Sequence, residues 1–225
     1  MKPYVSRGGI KLATALQAFA IPVAGRIALD CGASTGGFTD CLLQHGTKLV
    51  YAVDAGHSQL AARLTQDPRV QDWSYTNIAR VIQTPPTHLP DLITLDLSYL
   101  SLRIGIPLAT QILAPNGNML TLFKPLFEID DPLARRTGLI SDPNQIVIAL
   151  SRLLETISTL PLTPRGAIKL ALQPIRGVHE YMLWFSHPTQ GAQPWQPSST
   201  DLLTLVTGNG LGPTEELTTQ TFFPS

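Results

Sequence analysis

Short apolar, β-branched runs recur along the chain with helix-forming stretches between them, and this alternation limits the possible folds more than any other feature. A short continuous apolar run suits a strand covered on both faces, and strands that alternate with helices join through crossovers into a mostly parallel sheet. The pattern predicts strands near 27–31, 49–53, 70–73, 92–97, 118–123, 167–172 and 181–185. Helices are predicted over 9–19, 38–44, 58–64, 100–113 and 144–157, the last opened by Ser141-Asp142-Pro143 as a cap and first-turn signal. The expectation is an α/β fold, Rossmann-like, with a seven-stranded sheet and helices on both faces.

The sharpest local signal is Leu29-Asp30-Cys31-Gly32-Ala33-Ser34-Thr35-Gly36-Gly37-Phe38, an apolar strand running into a glycine-rich turn that opens a helix. Glycines there let a ligand lie against the backbone, and the helix start offers free N–H groups. The spacing departs from the dinucleotide pattern, because Ala33 and Ser34 stand where its second glycine belongs, and this favours a ligand without a pyrophosphate. Asp54 ends the second strand about 20 residues on, where an acidic residue reaches the hydroxyls of a ribose. Asp30 adds negative charge, which suits a cationic ligand. A ribose, no phosphate and a positive charge together describe S-adenosylmethionine.

Two segments break the rhythm. From 128 to 141 the chain carries Asp130, Asp131, Arg135, Arg136 and Gly138 without periodicity, after the fifth strand, where such a sheet puts its ligand crevice. It reads equally as a substrate loop or a plain surface loop. Residues 187–225 are rich in Pro, Thr, Ser and Gly, so a body over 1–186 is expected to be followed by an extension with little regular structure, docked through Trp195, Phe222 and Phe223. Only 14% of residues are charged against roughly 25% in an average soluble protein, and basic and acidic residues balance at 16 each. No global field draws this chain onto nucleic acid or anionic lipid. The N-terminus, Met1-Lys2-Pro3-Tyr4, has no apolar signal segment, and no apolar run is long enough to span a membrane, so a cytoplasmic location with Cys31 and Cys41 reduced is expected. The five histidines show no ligand spacing, and no metal is expected.

Several ordered stretches together resemble a known family. Tyr4-Val5-Ser6-Arg7-Gly8-Gly9-Ile10-Lys11-Leu12, the glycine turn through Asp40, Tyr51-Ala52-Val53-Asp54, Asp96-Leu97-Ser98-Tyr99-Leu100-Ser101-Leu102 and Lys124-Pro125-Leu126-Phe127-Glu128 are similar to the successive motifs of the TlyA-type haemolysin and ribosomal RNA methyltransferase family, a branch of the FtsJ-like 2′-O-methyltransferases. The resemblance spans roughly residues 4 to 186. It implies a class I methyltransferase fold whose last strand runs antiparallel, with S-adenosylmethionine bound at the ends of the first strands. Donor contacts are then expected from Asp30, Gly32, Ala33, Ser34, Thr35, Gly36, Gly37, Phe38, Asp54, Asp72 and Asp96. The Lys-Asp-Lys-Glu tetrad of FtsJ-like enzymes would fall on Lys11, Asp96, Lys124 and Glu180. Relatives usually carry a small S4-type RNA-binding domain ahead of the first motif, and such a module is expected to be absent here.

Methyl transfer from a sulfonium to a hydroxyl is an in-line displacement in which the oxygen sheds its proton as the new bond forms. An unperturbed lysine, near 10.4, is charged and cannot take that proton. Repulsion from a second amine and partial burial would lower one lysine. On this reading Lys124 activates the hydroxyl, Asp96 partners it, and Lys11 and Glu180 hold geometry and charge. Each residue taken singly has a plainer reading. Lys124 follows an apolar strand as a solvated strand end could, Lys11 could be the wet face of a helix, and Glu180 beside His179 could be strand decoration. Asp96 in Ile93-Thr94-Leu95-Asp96-Leu97 is the exception, since a carboxylate in an apolar run needs a partner.

The expected acceptor is a ribose 2′-hydroxyl of RNA. Methylation of a small molecule or peptide is the alternative, favoured by the neutral surface. A donor-binding module without turnover and a membrane-active protein are more remote, the latter for want of a basic amphipathic or membrane-spanning segment. A basic rim around Lys11 and Lys124 would favour RNA, and a closed apolar pocket a small acceptor.

Overall fold

The computed structural model describes residues 3–57, 59–172, 178–188 and 193–208. Among them, the apolar runs form strands β1 (Ile27–Cys31), β2 (Leu49–Asp54), β3 (Val70–Ser74), β4 (Leu92–Leu95), β5 (Asn118–Phe123), β6 (Thr163–Lys169) and β7 (Tyr181–Ser186). They make one sheet in the order β3-β2-β1-β4-β5-β7-β6. Strands β1 to β5 pair in parallel, and β7 runs antiparallel to both of its neighbours. Alternate residues of each strand serve opposite faces. Leu29, Tyr51, Ile93 and Met119 pack toward α4 (Ile78–Gln83), α5 (Leu102–Thr110), α8 (Pro143–Ser158) and α9 (Ser199–Thr207). Ala28, Val50, Leu92 and Leu120 pack toward α1 (Arg7–Ala18), α2 (Gly37–Gln44) and α3 (Ala62–Thr65). The short helices α6 (Pro125–Glu128) and α7 (Pro132–Thr137) follow β5. Strand order reverses at β1, so the carboxyl ends of β1 and β4 part and open a crevice.

Departures from the expected elements have local causes. The chain leaves the ladder at Leu95, two residues early, and carries Asp96 over Gly32. Strand β6 lies at Thr163–Lys169 instead of 167–172, with a register irregularity between Pro164 and Gly166. It is the edge strand, where the missing N–H of Pro164 is tolerated. The segment 128–141, read as loop, contains α7, whose signals were all present. Asp131 accepts from the Ala134 N–H, Pro132 opens the first turn, and Gly138 closes it in the left-handed region.

The expectation of little regular structure beyond residue 186 is corrected over Ser199–Thr207. Ser198 and Asp201 form a capping box there, and Leu202, Leu205 and Val206 are buried. Trp195 is also buried. Each such side chain contributes about 1.5–3 kcal/mol when fully removed from water, which offsets the polar composition of the segment. The expected helix start at Ser58 and the docking of Phe222 and Phe223 lie outside the described residues. Among those described, no helix is long and apolar enough to cross a membrane.

Candidate active site

The turn after β1 is shaped by three residues in the left-handed region, Gly32 (φ 89°), Ser34 (φ 49°) and Gly36 (φ 93°). Gly32 and Ala33 both donate to the Val53 carbonyl, which fastens the turn to the end of β2. Ser34 and Thr35 stand exposed at its tip. Beside them the Asp54 carboxylate accepts from the Ser34 N–H at 2.7 Å and the Gly56 N–H at 2.7 Å. A carboxylate offers about four lone-pair sites, so Asp54 keeps capacity for a sugar hydroxyl. An open backbone tip next to a half-buried acid fits a nucleoside-bearing donor.

Other residues expected at the donor have different partners. Asp30 is fully buried, and its carboxylate accepts from Thr39 Oγ1 of α2 at 2.7 Å and Thr94 Oγ1 of β4 at 2.9 Å. Burial pushes its carboxyl up to about 6, against the lowering effect of the two hydroxyls. It ties β1 to α2 and β4 from inside. Phe38 is a core residue between α1 and α2. Gly36 and Gly37 are bare for packing: a Cβ on the first would run into Leu64 and Leu60, and on the second into Ser6 Oγ and the start of α1. Asp72 is in register with Ala52, short of the strand end, and accepts from Ser74 Oγ at 2.6 Å. The end of β3 belongs to Ser74, opposite Asp54.

The remaining candidates converge. Asp96 leaves β4 and Lys124 leaves β5 at the same sheet edge, and Lys124 Nζ lies 2.5 Å from Asp96 Oδ1 and donates to Ser98 Oγ at 2.8 Å. Strand β7 runs against β5 with Phe123 opposite Tyr181, so Glu180 arrives at this edge too. There it forms an ion pair with Lys11 of α1. All four side chains are largely buried, with 12–25% of their surface exposed. Each charge therefore has a partner, as burial demands. Lys11, Lys124 and Glu180 line one cavity of about 740 Å³. Its walls also carry Tyr99 and Phe127, about half exposed, and Arg135 of α7, whose Nη2 is anchored on the Ile129 carbonyl.

Sequence reasoning missed Glu128, which is buried and accepts from Ser101 Oγ at 2.6 Å and from the Leu102 N–H at 2.8 Å. The signal for Glu128 was its place shortly after β5, at the crevice edge. Arg135, read from the sequence within a segment after the fifth strand that could be a substrate loop, does line the cavity. Among the described residues, no group of three or more His, Cys, Asp or Glu side chains is placed to hold a metal ion.

Comparison with known proteins gives this geometry a family. The FtsJ-like methyltransferase family matches residues 4–156. The 16S/23S rRNA (cytidine-2′-O)-methyltransferase TlyA of Mycobacterium tuberculosis is 37% identical over 194 residues, 85% of this chain and 71% of that protein. A crystal structure of a Lactococcus lactis protein, described as a candidate hemolysin, superposes with a TM-score of 0.82 at 33% identity, covering 91% of this chain and 98% of that one. The N-methyltransferase NodS of Bradyrhizobium japonicum, in complex with S-adenosyl-L-homocysteine, shares the fold at a TM-score of 0.55 and 20% identity, over 82% of this chain and 90% of that one. With its seven-stranded sheet, its donor-type turn after β1 and a family match over most of its length, the chain belongs to the FtsJ-like methyltransferases and is an S-adenosylmethionine-dependent enzyme.

Proposed function

We propose that the chain methylates a ribose 2′-hydroxyl of ribosomal RNA, with Lys124, Asp96, Lys11 and Glu180 as its working residues. The observation that carries this reading is the meeting of two Lys–carboxylate pairs at one sheet edge, beside a cavity with exposed aromatic rings and a third cation, Arg135. Cationic and aromatic walls suit an unstacked nucleotide, whose phosphate and base want those two partners. Three cations, Lys11, Lys124 and Arg135, line the cavity, which favours RNA over a small acceptor held by apolar walls alone.

The turn 32–35 and Asp54 would hold the donor, and when bound it supplies an electrophilic methyl group. The chain's own contribution is positioning and proton transfer. Asp96 and Ser98 fix Lys124 Nζ at the cavity wall; once the amine has released its own proton to solvent, it meets the acceptor hydroxyl and takes the proton that the oxygen sheds on attack. Lys11, held by Glu180, adds positive charge that stabilises the developing oxyanion.

The test is transfer of a labelled methyl group from S-adenosylmethionine to unmodified ribosomal RNA or ribosomal subunits. Lys124→Ala should lower the rate about 10²–10⁴-fold, the usual worth of a positioned proton acceptor, with donor affinity retained. Wild-type protein that labels a small-molecule extract and leaves RNA unlabelled would overturn the acceptor. A fully active Lys124→Ala would overturn the assignment of roles.

A further inference from the structure

We propose that Glu128 is a positioning residue for methyl transfer, a staple that holds the two catalytic loops in register through Ser101 and Leu102. The proposal rests on the reading of Lys124 and Asp96 given above.

The loop after β4 starts at Asp96 and ends where Ser101 caps α5. The loop after β5 starts at Lys124 and ends at Glu128, the last residue of α6. The two loops are joined at both ends. At the strand side the link is Lys124 to Asp96 and Ser98. At the helix side it is the Glu128 carboxylate, with one oxygen on the Ser101 hydroxyl and the other on the Leu102 N–H. Between the two links lie Tyr99, Leu100, Pro125, Leu126 and Phe127, all of which line the cavity.

The chemistry of the second link argues for its purpose. Leu102 is the first residue of α5, and its N–H has no partner within the helix. Ser101 already uses its hydroxyl to accept from the Arg103 N–H, so Glu128 supplies what the cap leaves open. Hydrogen bonds to an ionised carboxylate are shorter and roughly twice as strong as neutral ones. Glu128 is 8% exposed, so little water competes for it. Helix α5 is itself seated by Gly105, where a Cβ would strike Leu97, so the staple ties the β5 loop to a rigid body. The cavity wall and the orientation of Lys124 then depend on a side chain that does not line the cavity.

The experiment compares wild type with Glu128→Ala, Glu128→Gln and Ser101→Ala, with Lys124→Ala as control. It uses steady-state methylation of ribosomal RNA, donor titration by calorimetry, and amide exchange over residues 97–103. Glu128→Ala should lower kcat about 10–100-fold and raise KM for RNA, as a displacement near 1 Å does, while donor affinity stays within about twofold. Glu128→Gln should recover kcat to within about threefold, because its amide oxygen still accepts from Leu102 and its NH₂ donates to Ser101. Ser101→Ala, which removes one arm, should fall between them with faster exchange at Leu102.

A folded Glu128→Ala with wild-type kcat and KM overturns the proposal, as does a Gln variant as impaired as the Ala variant. Should Glu128→Ala fail to fold, Ser101→Ala decides, and unchanged kcat together with unchanged exchange at Leu102 overturns it. An active Lys124→Ala, or a wild type inert on RNA, defeats the functional reading instead. The exchange comparison still reports on the staple in that case.

Discussion

Gly32→Ala tests whether the donor turn and the catalytic edge are one mechanical unit. Gly32 has φ 89°, a region that costs an L-residue roughly 1–2 kcal/mol. A Cβ there would also stand 3.0 Å from the Asp96 carbonyl carbon and closer still to its oxygen, inside the 3.4 Å at which ordinary contact begins. Overpacking of that kind adds about 1–3 kcal/mol, so the loss in stability should total about 2–5 kcal/mol. In a chain of this length the melting temperature should fall by about 2–4 °C for each kcal/mol. Relief of the clash displaces Asp96 by about 1 Å and opens its pair with Lys124, a misplacement worth about 10²-fold in rate. The natural control is Gly25→Ala, which has φ 78° and no atom within 4 Å of the added methyl. It should lose only the backbone strain and keep full activity. The assay is thermal unfolding of all three proteins, followed by methyl transfer to ribosomal RNA below the lowest transition. A Gly32→Ala protein that melts within 2 °C of Gly25→Ala and turns over within about threefold of wild type would refute the coupling.

Asp30→Asn should change how stability responds to pH. Asp30 is pushed from 3.8 up to about 6 by burial, so between those values the folded chain holds a proton that the unfolded chain has lost. Unfolding free energy therefore falls as pH rises through that window, by about 3 kcal/mol in full, and the carboxylate's burden persists above it. The difference between wild type and Asp30→Asn, followed by urea unfolding from pH 4 to pH 7, should carry that slope; a constant difference would count against the buried carboxylate. Both thiols should be inert in the native protein. Cys31 and Cys41 are buried, which raises both, Cys41 to about 12. A thiol reagent at pH 8 should label neither until denaturant is added and both afterward, and rapid native labelling would contradict this packing.

The number of the strands and their alternation with helices were legible because a two-sided parallel sheet writes itself as short, unbroken apolar runs, and these do not depend on distant neighbours. Strand β6 was placed late because Pro164 reads as a breaker, and only its position at the sheet edge makes that proline harmless. Helix α9 was lost in a segment whose composition is polar on average, although Ser198 and Asp201 carry a complete capping box. Average composition cannot report where a few apolar side chains find a surface to cover.

What the sequence determined alone is the alternation of elements, the glycine turn after β1 and the presence of four residues of the tetrad types. Turn chemistry and hydrophobic period are local, so they survive without a fold. The division of labour among those residues is tertiary. Asp30 became an internal tie and Gly37 a packing site because α1 and α2 close over them. Lys11 and Glu180, from opposite ends of the described chain, meet because β7 runs antiparallel beside β5 and brings its first residues to the edge where the parallel strands end.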